Sequence, residues 1–171
     1  MTILKPGFTQ LIAIVLASLT LSHGAMAGTT VKVSLWDKGG GSMDMMNSMK
    51  PMGMAMMGGD MSMVTMGVTL DTATVPAGEV TFEAVNTSKD MIHEMIVSPV
   101  ADPAIALPYR MDEMRVDEDA AGHLGEVSEL DPGASGALTV DLKAGTYILF
   151  CNIPGHYAMG MWTLLTVTDG A

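Results

Sequence analysis

The sequence predicts an all-β sandwich, and three observations predict it. Short runs alternate apolar and polar residues, as half-buried strands do. Clusters of Gly, Pro, Asp and Ser separate those runs at turn-like intervals. No long segment carries a helical apolar period. Val31–Trp36, Met66–Leu70 and Val80–Val85 alternate cleanly. Ala137–Leu142, Thr146–Phe150 and Trp162–Thr168 follow, with Asp131–Gly136 and Lys143–Gly145 as turn clusters. About seven such strands make two packed sheets. Two stretches depart from the pattern. Residues 99–125 read as an acidic insertion, with a short helix within 104–119 and a solvated acidic face. Residues 42–66 are a low-complexity, Met-rich loop or extension.

Composition narrows the function. The chain has 171 residues, 49% of them apolar, which suits one domain with a core of Val, Leu, Ile and Met. Its formal charge of −11 excludes nucleic acid as a partner and favours basic surfaces. Residues 1–27 have the form of a secretory signal: Lys5, the apolar run Leu11–Leu21, then Ala25-Met26-Ala27. The run is shorter than the roughly 20 residues that span a bilayer. The expected mature domain is therefore 28–171, exported to the periplasm, with no membrane insertion after cleavage.

A single cysteine allows no intramolecular disulfide. By itself Cys151 would be a buried, inert thiol. Its neighbours change that. Cys151-Asn-Ile-Pro-Gly-His156-Tyr-Ala-Met159-Gly-Met161 joins two strand-like runs, placing a thiolate, an imidazole and thioethers on one loop. Soft sulfur with imidazole selects copper, and two His, one Cys and a weak axial Met form the copper electron-transfer set. The second imidazole must come from elsewhere. Only His93, His123 and His156 survive signal removal, and His93 opens an apolar run after Asn86–Asp90. His93 is the partner ligand, while His123, in Ala121–Gly125, reads as a surface residue.

These residues resemble the cupredoxins, the plastocyanin, rusticyanin and sulfocyanin kind of blue copper protein. Val75-Pro-Ala-Gly78-Glu-Val-Thr-Phe82-Glu-Ala-Val-Asn86, His93 and Cys151–Met161 carry the resemblance, which covers roughly 64–167. It implies a Greek-key sandwich and one type 1 Cu(I)/Cu(II) site, with His93, Cys151 and His156 equatorial and Met161 axial. Met159 competes for the axial place; the Gly160-Met161 pair matches the family better. One departure concerns Glu94, where many relatives have an Asn that ties the ligand loops together. Glu94 is expected to take that role, with Asn152 as the alternative.

Two functions follow. Eleven methionines between 42 and 66 suit additional Cu(I) and favour periplasmic copper handling or tolerance: binding, sequestration or Cu(I) oxidation. The alternative is an electron carrier whose acidic surface meets a basic redox protein such as a cytochrome c. An enzyme is not expected, since too few further His or Cys remain for a catalytic copper centre.

Overall fold

The computed structural model describes residues 28–39 and 64–169. The expected signal, 1–27, lies outside the described residues, as does the Met-rich segment apart from residues 64–66. The strands are β1 (Thr29–Asp37), β2 (Met66–Leu70), β3 (Thr74–Pro76), β4 (Gly78–Asn86) and β5 (His93–Val100). After β5 come β6 (Tyr109–Arg110), β7 (Arg115–Val116) and the single-turn helix α1 (Glu118–Ala121). The chain closes with β8 (Gly125–Leu130), β9 (Ser135–Leu142), β10 (Gly145–Phe150) and β11 (Trp162–Thr168).

Two sheets face each other, one ordered β2-β1-β4-β9 and the other β3-β11-β10-β5-β8. Alternation sets their inner faces. Val31, Val33 and Leu35 of β1 and Val80, Phe82 and Ala84 of β4 turn inward. They meet Met95, Val97, Tyr147, Leu149, Leu165 and Val167 of the opposite sheet in one core. The sheets approach closely at Gly136, where an added Cβ would sit 2.5 Å from Val127 Cγ1. Met66, the last methionine of the Met-rich stretch, is a fully buried core residue of β2.

The insertion is differently built from its sequence pattern. The strands β5 and β8 claim its expected ends, leaving 101–124. Within it, β6 and β7 form a hairpin, and the helix falls later, at 118–121. N-capping explains its start: Asp117 accepts the Ala120 N–H, and Gly122 ends the turn at φ 65°. Nor is the insertion only a solvated face. Leu107, Val116 and Ala121 pack on Ile96, Ile148, Phe150, Tyr157 and Trp162 in a second apolar cluster. That cover explains why Phe150 and its β10 neighbours are buried on both faces of the strand. Among the described residues, no helix is long and apolar enough to cross a membrane.

Candidate metal centre

Strand pairing brings the ligand-bearing segments together. Strands β5 and β10 are antiparallel neighbours, with Phe150 opposite Ile96. His93 begins β5, and Cys151 follows the last residue of β10 at the same end. Residues 151–161 then loop back into β11. The β5–β8 register shifts between His93 and Met95, an irregularity that frees Glu94 from the ladder.

The loop is held by its own backbone. Cys151 N–H donates to Met161 O at 3.1 Å, and Met161 N–H donates to His156 O at 3.0 Å. Gly155 and Gly160 supply the positive φ angles, 87° and 95°, that fold eleven residues back on themselves. Pro154 stiffens the approach to His156.

The donor atoms of His93, Cys151 and His156 all lie within 4.8 Å of one another, and all three residues are buried. Cys151 Sγ is 3.3 Å from His156 Nδ1, and the two imidazoles meet edge-on with centroids 5.2 Å apart. Burial pushes the copper-free Cys151 thiol up to about 12, against the opposing pull of backbone N–H groups at Glu94 and Ile153. Burial, then the neighbouring His93, pulls His156 down to about 4. Burial also lowers His93, against the opposing pull of Asp37, so both imidazoles favour the neutral form that ligates.

One atom bears directly on a metal. His93 Nδ1 is buried without a hydrogen-bond partner, whereas Nε2 lies 2.9 Å from Asp37 Oδ2. With the Nε2 proton held by the carboxylate, Nδ1 carries a free lone pair. A buried imidazole with one nitrogen anchored and the other unpaired fits a metal ligand. A soft thiolate and a second imidazole beside it fit copper. Met161, at the loop's end, is fully buried in the same core, while Met159 is only partly buried against it. His123 is exposed and stands apart from the cluster.

Asp37 is the residue that sequence reasoning missed. It lies 56 positions before His93 and has no motif around it. Glu94 occupies the expected tying position. Its Oε1 accepts the Asn152 N–H at 2.9 Å, and its own N–H points to Cys151 Sγ at 3.5 Å. The Asn152 side chain turns the other way, to Val116 and Glu118 of the insertion.

The chain is similar to known proteins over most of its length. The family described as copper binding proteins, plastocyanin/azurin family, matches residues 52–168. Rusticyanin from Thiobacillus ferrooxidans is 20% identical, covers 82% of this chain and 79% of its own, and superposes with a TM-score of 0.51, a likeness of fold. A dithionite-reduced auracyanin from the photosynthetic bacterium Roseiflexus castenholzii is 24% identical over 58% of this chain and 86% of its own, with a TM-score of 0.42. Auracyanin B is 28% identical over 58% of this chain and 80% of its own, with a TM-score of 0.45. No curated protein sequence matches.

Proposed function

The chain belongs to the plastocyanin/azurin family of copper binding proteins, and from that premise we propose an exported type 1 copper protein that handles copper in the periplasm. The convergence of three buried donors, His93, Cys151 and His156, within 4.8 Å carries the reading. His93, Cys151 and His156 would hold the copper, with Met161 as the weak thioether ligand that the family resemblance implies. Copper supplies one-electron exchange between Cu(I) and Cu(II). The protein supplies rigidity: the Glu94 tie, the loop hydrogen bonds and the sandwich resist a change of geometry between those states. Replacing Cys151 with Ser abolishes the thiolate charge-transfer band. Met161→Leu shifts the band and the potential, and Met159→Leu leaves both near the parent values; the opposite pattern assigns the axial place to Met159.

Copper handling, rather than electron carriage alone, draws support from where the Met-rich segment is attached. The described residues nearest its two ends are Gly39, two residues beyond the Asp37 that touches His93, and Val64, which lies against Gly160 beside Met161. Thioethers gather Cu(I) as soft ligands, and these two described residues both lie near the copper end of the sandwich. The acidic charge favours the second reading, a carrier for a basic redox protein such as a cytochrome c. Deleting 42–63, which spares the core residue Met66, separates the two. Lost Cu(I) capacity and copper tolerance with unchanged electron exchange means handling. Slowed electron exchange with intact tolerance means carriage.

A further inference from the structure

Asp37 is the last residue of β1, fixed opposite Met66 of β2 by the backbone ladder. Its side chain is 1% exposed. Among the described residues, the hydrogen-bond partners of the carboxylate are donors. Oδ2 faces His93 Nε2 at 2.9 Å, and Oδ1 accepts the Gly39 N–H at 2.6 Å. The Ser88 hydroxyl, beside the carboxylate, also favours its charged form. Ser88 Oγ in turn accepts the N–H groups of Asp90 and Met91, which lead directly into His93. A carboxylate is thus built into the wall behind one imidazole, with its own position set by strand pairing.

Two consequences follow from elementary chemistry. First, a carboxylate cannot donate, so Nε2 must hold the ring proton and Nδ1 must be the bare nitrogen. Second, an imidazole whose proton is shared with a buried anion is a stronger electron donor. Extra donation and a nearby negative charge favour the more highly charged metal state. We propose that Asp37 is a positioning residue: it locks His93 in the Nδ1-ligating form and biases the centre toward Cu(II), lowering the reduction potential. The proposal rests on His93 being a copper ligand, as argued above.

The test compares the parent with Asp37→Asn, which keeps shape and a hydrogen-bond acceptor but removes the charge. Cu(II) and Cu(I) affinities are measured separately, by competition with chelators of known affinity. Cu(II) affinity is expected to fall tenfold more than Cu(I) affinity, which is a rise in potential of about 59 mV for one electron. In the copper-free protein, ¹⁵N chemical shifts of the His93 ring report the tautomer directly. The parent is expected to show protonated Nε2, and the variant a mixture, because an amide can also donate. Asp37→Ser serves as a second variant, with the same expected direction, should the first fail to fold. Equal losses of Cu(I) and Cu(II) affinity, or an unchanged tautomer and potential, overturn the proposal. If instead His93→Ala leaves copper stoichiometry and the visible spectrum intact, the ligand assignment beneath it has failed.

Discussion

Two buried groups at the centre pull the copper-free protein in opposite directions with pH. Glu94 is 6% exposed, and burial raises its carboxyl from 4.5 to about 7, partly offset by the Asn152 N–H and Arg115. Between those values the folded state holds a proton that the unfolded chain has released, so stability falls as pH rises through the interval. His156 behaves oppositely. Its value drops from 6.5 to about 4, so the unfolded chain binds the extra proton and stability rises with pH across that range. The two effects oppose each other from pH 4.5 to 6.5. Removing the carboxyl exposes the second alone. Copper-free Glu94→Gln is expected to match the parent near pH 4 and to exceed it at pH 8 by on the order of 3 kcal/mol. Urea denaturation at both pH values checks this; parallel profiles would sink it.

The insertion is clasped to the ligand loop rather than appended to the sandwich. Asn152 accepts the Val116 N–H at 2.6 Å, and its amide donates to Val116 O at 3.0 Å and Glu118 Oε1 at 2.7 Å. Gly155 N–H donates to Met114 O at 2.8 Å, and Leu107 N–H donates to the Tyr157 hydroxyl at 3.2 Å. Met114 presents its carbonyl from φ 53°, a left-handed conformation that a non-glycine residue adopts only under constraint. Asn152→Ala leaves buried Val116 backbone groups unpaired, at a cost of about 2–4 kcal/mol. Hydrogen exchange is expected to quicken across 101–124 and at 152–157, with β1 and β4 unchanged. Uniform protection would show that apolar packing alone holds the insertion. The sequence pattern suggested only acids and a short helix there. Two-residue strands leave no readable period, and the apolar residues that cover β5 and β10 are scattered among the acids. Strand β11, by contrast, runs from Trp162 to Thr168, the bounds of the strand-like run read from the sequence.

At the scale of the whole molecule, the copper-free state carries an energetic penalty that the metal relieves. The sandwich buries two neutral imidazoles and a thiol whose proton is held up to about 12. Bound copper would take the place of that thiol proton and use the unpaired Nδ1 of His93, so it would bind the folded chain far better than the unfolded one. At a free copper level about 1,000-fold above Kd, linkage gives roughly 4 kcal/mol. That corresponds to a rise in Tm of about 10 °C for a chain of this size. Calorimetry with and without one equivalent of copper measures it, and a dye recording pH at pH 8 should register proton release on binding. An unchanged Tm would mean that the three donors do not form a metal site in the folded protein.

Features of this protein that lie close together along the chain are legible from its residues alone. The Cys151–Met161 loop is such a feature, because eleven neighbouring residues carry the sulfur, the imidazole and the turn glycines. Strand alternation is another, since burial on one face imposes a period of two wherever a strand lies. His93 could be chosen because so few histidines compete. Folding alone decided the rest. Asp37 meets His93 across 56 residues, and Glu94 meets Asn152 across 58. The first pair leaves no local trace, since a hydrogen bond between distant segments constrains two positions and nothing between them; the family resemblance predicts the Glu94 tie, but its partner atom is set by the pairing of β5 beside β10. The ligands of the centre are thus written in one loop and one strand, while their orientation and charge environment arise only when β1, β5 and the insertion close around them.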